Sequence, residues 1–247
     1  MSNPLMTESA FEKVRTGFVS DGESMTLKGT VNKTILLFIT MLVPAAWIWM
    51  KLGGDPTQAV GLMPFMIGSL VIGLIASIVL VFKKSWAPVL APVYAAAEGV
   101  FLGIISMIYE HFQSGIVVQA VGITLLLFAA MLVAYRTGLI RATPLFTKII
   151  VFATLGVGLF YLINMIVMMF GVESFYMGSS LLSIGVSVLI AGIAAFNFIL
   201  NFDMIENQAQ LGAPKYMEWY SGFGLLLTLV WLYLEILRLL SKISGRD

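Results

Sequence analysis

The sequence predicts an all-α membrane protein, a bundle of seven transmembrane helices, and three observations carry that prediction. Sixty per cent of the 247 residues are hydrophobic, and the mean hydropathy is +0.98. Only 11% are charged, against about a quarter in a soluble domain. Apolar stretches long enough to approach the about 20 residues that a helix needs to cross hydrocarbon recur along the chain.

The first 32 residues form a polar N-terminal tail, and residues 33–247 form the membrane domain. The tail lacks a basic segment followed by a short apolar core, so a cleaved signal peptide is not expected and the first apolar helix serves as its own insertion signal. The spans are read at 33–50, 60–82, 87–109, 116–135, 147–171, 180–205 and 222–241. Between them lie "KLGGDP", "KKS", "EHFQSG", "RTGLIRATP" and "GVESFYMG". These short connections predict antiparallel neighbours. The longest gap, "ENQAQLGAPKYMEWYSG", is expected to hold a short interfacial helix around Tyr216, Trp219 and Tyr220. The sixth helix is expected to run past Glu206 to about Gln210.

Orientation follows from lysine and arginine. Lys13, Arg15, Lys28 and Lys33, then Lys83 and Lys84, then Arg136, Arg141 and Lys148, then Lys215 all fall on one side, and only Lys51 lies in the loops of the other. The N-terminus is therefore expected in the cytoplasm. Arg238, Lys242 and Arg246 then fall outside, against the rule. Either the last helix enters part-way or its burial overrides the bias.

Small residues recur every fourth position in two spans: Ala87, Ala91, Ala95, Gly99 and Gly103 in the third, and Ser179, Ser183, Ser187, Ala191 and Ala195 in the sixth. Such ridges let helix backbones approach closely in lipid. They predict two interior helices and name no activity.

Absences narrow the function. With no cysteine, disulfides, thiolate metal sites and cysteine nucleophiles are excluded. A formal charge of +1 gives no reason to invoke nucleic acid. There is no H-E-x-x-H or G-x-S-x-G, neither Asp203 nor Glu235 follows a glycine, and no resident cofactor or enzymatic activity is expected.

What remains is polarity inside lipid. An ionisable side chain at the membrane centre costs about 2.5–3.5 kcal/mol on insertion scales and so needs a reason. Glu98, Asp203 and Glu235 qualify, with Asn164, Asn197 and Asn201 adding neutral polarity. Asp203 lies near the end of its span, where an interfacial position would satisfy it. Glu235 has Arg238 at i+3, where a local ion pair would do so. Glu98 is read as either structural glue, accepting from hydroxyls, or a polar residue of a pore. His111 reads as a solvated loop residue.

These residues come in a recognisable order. "AAAEGVFLG" in the third span, "NFDMIE" closing the sixth and "LYLEILRLL" in the seventh resemble the Bax inhibitor-1 family, and "SNPLMTESAF" with "MTLKGTVNKT" resembles a bacterial branch of it. The resemblance implies seven helices with the last one central, a bacterial inner-membrane location and a pH-sensitive calcium leak. It also implies that an acid closing the sixth helix pairs with one in the seventh as proton sensor, and these map onto Asp203 and Glu235. Three departures stand out. The seventh-helix acid is glutamate rather than the usual aspartate, the connection between the acids is longer, and the second span has no Lys or Arg before Lys83.

The reading that follows is a calcium leak gated by Asp203 and Glu235. Two close carboxylates in a dry site would share a proton. Ionised, they are a tentative calcium site, with Asn197 and Asn201 as neutral ligands. The alternative is a non-conducting regulator that binds a membrane partner, such as a quality-control protease, through the polar tail. A proton-coupled transporter would need mirrored broken helices, and nothing clearly mirrors Pro88 and Pro92.

Overall fold

A computed structural model describes residues 24–52, 61–171, 176 and 178–245. Its seven helices are α1 (Leu27–Leu52), α2 (Met63–Phe82), α3 (Ala87–Phe112), α4 (Ile116–Arg136), α5 (Pro144–Met169), α6 (Leu181–Gln210) and α7 (Met217–Ser244). All seven are long and apolar enough to cross a membrane. No strand occurs among the described residues, only an isolated bridge between Ser24 and Pro214.

Local chemistry sets the helix ends. Thr143 caps α5, accepting from Phe146 N at 3.2 Å, with Pro144 in the first turn where its missing N–H costs nothing. Ser180 caps α6 by accepting from Ser183 N. Glu110 reaches beyond α3 to accept from Gly115 N and Val117 N, which start α4. Gly115 and Gly212 turn the chain at positive φ, 84° and 66°, a region that glycine enters at little cost.

Two expected boundaries move. The helix α1 starts at Leu27, inside the stretch read as tail. The segment read as a separate interfacial helix is the first turns of α7, which begins at Met217 and runs unbroken to Ser244. The expected extension of the sixth helix to Gln210 is present. At 28 residues, α7 is about 42 Å long, long enough to cross the bilayer.

In lipid, close packing replaces the hydrophobic effect between helices. The ridge of α3 does this against α1: a Cβ on Gly99 would lie 2.1 Å from Met41 O, and one on Gly103 would lie 3.0 Å from Ala45 Cα. Ala87, Ala91 and Ala95 on the same ridge are fully buried, as are Ser183 and Ser187 on α6. The helix α3 sits between α1 and α2, while α7 packs on α1, α3, α4 and α6, and α5 rests on α6. Burial is greatest in α7 and α3 and least in α5, whose outer face is left to lipid.

The start of α1, the α2–α3 and α4–α5 connections and the α6–α7 turn share one end of the bundle. Lys33 lies over the Trp219 ring at 4.7 Å and Lys84 over Tyr220 at 5.2 Å, so the lysines of that side converge on the start of α7. We call this the basic end. At the opposite end Gln113 donates to Ser244, joining the α3–α4 connection to the end of α7.

Candidate functional site: a buried ion cluster on the last helix

Glu235 projects from α7 into the bundle with 1% of its surface exposed. Both carboxylate oxygens are engaged. Tyr161 of α5 donates to Oε1, and Tyr176, in the α5–α6 connection, donates to Oε2 at 3.0 Å. Arg238, one turn on, donates from Nη1 to Oε1 at 3.0 Å and to the two phenol oxygens at 3.1 and 2.8 Å. The local i+3 ion pair is therefore formed, within a larger network. The aromatic rings also serve as cation faces: Arg238 lies 5.5 Å from the Tyr161 ring and 5.3 Å from that of Tyr176.

Lys242, a further turn along α7, is 6% exposed. Its ammonium sits 3.6 Å over the Tyr176 ring and donates to Ser187 Oγ at 2.8 Å and Ser183 O at 3.5 Å. The serines of the α6 ridge thus do more than allow close packing. The cluster holds one carboxylate and two cations. Arg238 and Lys242, which break the loop-charge rule, are not loop residues but helix residues with partners in the bundle, Lys242 buried and Arg238 partly so.

Asp203 stands elsewhere. It is half-buried, and Asn207, one turn on, donates to its Oδ2 at 2.9 Å. The register of α6 on α7 is fixed by Asn201 Nδ2 on Thr228 Oγ1 at 2.8 Å and by Lys242 on Ser187, pairs that agree with one another. That register sets Glu235 level with Ala194, so the two acids are separated by about 14 Å of helix rise. The expected carboxylate pair, and with it a calcium site shared by Asp203 and Glu235, is not assembled. The reason lies in the helix ends: α6 continues seven residues past Asp203 to Gln210, whereas α7 begins eighteen residues before Glu235 at Met217, so the two acids stand at different distances from the turn. Among the described residues no three His, Asp or Glu side chains group as a metal site would need.

The neutral polar residues tie helices together. Asn197 donates to Thr154 Oγ1 of α5 at 2.9 Å, and Asn201 reaches Thr228 of α7. Tyr135 of α4 donates to Glu206 Oε2 of α6 at 2.6 Å, and Ser106 of α3 pairs with Tyr233 of α7 at 2.6 Å. Glu98 is partly buried, with Tyr94 as its hydrogen-bond partner. A Cβ on Gly73 of α2 would lie 3.3 Å from its Oε1, so that glycine makes room for the carboxylate. His111 is exposed at the end of α3.

Sequence reasoning missed a second buried carboxylate. Glu218, in the first turn of α7, is 0% exposed. Its Oε1 accepts from both Thr26 N and Thr26 Oγ1 at 3.0 Å, and Lys215 approaches to 3.6 Å. Thr26 in turn accepts from Gly29 N, so it caps α1, and the carboxylate lies where the helix dipole favours an anion. A Cβ on Gly29 would fall 2.0 Å from Glu218 Oε1. Beside this, Met25 N donates to Ala213 O at 2.7 Å, and Met25 is buried. The end of the tail is thereby clasped to the start of α7. Glu218 Oε2 and Ser221 Oγ are buried there without a hydrogen-bond partner. The available signal was an acid within an apolar, aromatic stretch; its surroundings read instead as a membrane interface.

Seven spanning helices and ionic groups buried inside them define a multi-pass integral membrane protein. More particularly, the chain belongs to the Bax inhibitor 1 like family, whose model matches residues 3–245, nearly its whole length. No curated protein and no solved structure matches it.

Proposed function

We propose that the protein is a proton-regulated cation leak in which the Glu235 cluster is the closed lock and calcium is the conducted ion. The observation that carries this reading is a carboxylate buried inside a membrane span, with both oxygens held by residues of two other segments and by Arg238. Such a group is costly in lipid, and intramembrane ionisable residues mark ion and proton pathways. Membership of the family supports the same reading.

In this mechanism, ionised Glu235 holds Tyr161, Tyr176 and Arg238 together and so ties α5 and the α5–α6 connection to α7. A proton taken up by Glu235 removes the charge that Arg238 answers. A carboxylic acid gives one oxygen to its own proton and no longer offers the guanidinium a charge, so the contact loosens and water enters beside α7. The closed cluster carries two cations against one anion, which repels Ca²⁺ until it rearranges. Asp203, with Glu206 one turn away, gives the other half of the bundle an acidic face that attracts cations without contacting the lock. With the basic end in the cytoplasm, the lock faces the outer leaflet of a bacterial inner membrane.

The test is Ca²⁺ flux in proteoliposomes across pH. Wild-type flux should rise as the medium is acidified, and Glu235→Gln should leak at neutral pH with little further response. A Glu235→Gln protein that keeps the wild-type profile would remove the mechanism.

The clasp at Glu218 favours a second reading, a non-conducting regulator. It gives the polar tail a physical connection to α7, through which a bound membrane partner, such as a quality-control protease, would be sensed. Under this reading the protein carries no Ca²⁺ flux of its own in proteoliposomes, and deleting residues 1–23 should abolish regulation of the partner.

A further inference from the structure

We infer that a groove between α1 and α4 seats one acyl chain of a bilayer phospholipid, from the leaflet opposite the basic end. The groove is a hollow of about 330 Å³, walled by α1 and α4 and floored by α3 and α7. Its lining is small on one side: Ala45 and Ala46 line it from α1, and Gly103 of α3 packs so close to Ala45 that a larger residue would collide with the α1 backbone.

The chemistry of the lining selects the occupant. It is apolar except for three hydroxyls and the indole N–H of Trp49, and the hydroxyls already bond within the protein. Ser106 and Tyr233 bond to each other at 2.6 Å, and Thr124 donates to Ala120 O at 2.7 Å. A water or an ion needs several polar partners, and a wall with so few polar groups does not supply them. An empty hollow of this size would forfeit the contacts of its walls.

Position and length point the same way. Trp49 lies in the last turn of α1 and Val117 in the first turn of α4, so the groove begins at the end opposite the basic one. It continues inward to Phe38 on α1, about 16 Å of helix rise from Trp49. That is close to half of the about 30 Å hydrocarbon core, the depth of one leaflet. The mouth is continuous with the lipid-facing surface: Leu42 is 45% and Leu125 43% exposed on its two rims. A chain seated there would lie against Tyr233 and brace α7 two residues from Glu235.

The experiment uses the full protein in vesicles of phosphatidylethanolamine and phosphatidylglycerol that carry a phospholipid with a photoactivatable diazirine within one acyl chain. After irradiation, adducts are mapped by peptide mass spectrometry. Adducts on 38–49 and 117–125 should exceed, by several-fold, those around Phe152, a lipid-facing residue of α5 that is 71% exposed. Ala45→Trp, filling the groove from α1, and Val121→Trp, filling it from α4, should each remove most groove adducts and leave those at Phe152 unchanged. Equal labelling of groove and α5, unchanged labelling in both variants, or labelling displaced by a second protein copy cross-linked into the groove would overturn the inference.

Discussion

Two glutamates on one helix, both out of reach of solvent, are treated differently by their surroundings. Glu235 has both oxygens occupied by hydroxyls and a guanidinium. Glu218 offers one oxygen to the backbone and hydroxyl of Thr26, and its other oxygen has no hydrogen-bond partner. The first closes a network drawn from α5, the α5–α6 connection and α7. The second fastens the beginning of the membrane domain to the beginning of its last helix. A buried carboxylate is thus either a fully committed lock or a half-committed clasp, and the number of engaged oxygens tells them apart.

The comparison is broken hardest at the lock. Glu235→Ala leaves Arg238 without its carboxylate, and removing one partner of a buried pair costs about 3–5 kcal/mol. Thermal unfolding in detergent should show a larger loss for this variant than for any other single substitution in the two clusters, and Arg238→Met in the same chain should restore part of it. If Glu235→Ala unfolds like wild type, the network carries no stability.

The clasp should give a smaller effect with a distinct signature. Gly29→Ala places a methyl on the Glu218 carboxyl group, and overpacking of this kind costs about 1–3 kcal/mol. The added methyl should become tolerable once Glu218→Ala vacates the space, so the double variant should be more stable than the sum of the singles predicts. Strict additivity would mean that the close approach of Gly29 to Glu218 does not exist in the folded protein.

Single donors sharpen the contrast. Tyr176→Phe removes two hydrogen bonds to charged groups, one donated to Glu235 and one accepted from Arg238, about 1.5–3 kcal/mol each, and should also shift the pH response of Ca²⁺ flux. Asn201→Leu, which cuts only a neutral bridge between α6 and α7, should cost about 0.6 kcal/mol and leave that response alone. Chemical denaturation in micelles ranks the two, and the reverse order would contradict the weight given to the charged cluster.

The fold was legible because hydropathy and length alone decide whether a helix can span a bilayer, and seven stretches met both conditions. The ends were less so. The start of α7 is rich in aromatic residues, which suit an interface and a buried helix turn alike, so nothing in "KYMEWYSG" marks it as continuous with the last span. Within the site, Glu235 was visible as an acid in an apolar run, and Arg238 as its neighbour one turn on. Tyr161 and Tyr176 were not, since they lie 74 and 59 positions away and nothing local marks a tyrosine as aimed at a carboxylate. The pairing of Asp203 with Glu235 came from resemblance rather than from register. It fails on register, because Asp203 lies seven residues before the end of α6 and Glu235 eighteen past the start of α7.

The central claim is that Glu235 works apart from Asp203, and its most direct test is the pH profile of Ca²⁺ flux in proteoliposomes carrying wild type, Asp203→Asn or Glu235→Gln. Glu235→Gln should flatten the profile at a high flux, while Asp203→Asn should lower the flux and keep its shape. If the two variants flatten the profile alike, the acids act as one unit, and their functional separation is contradicted.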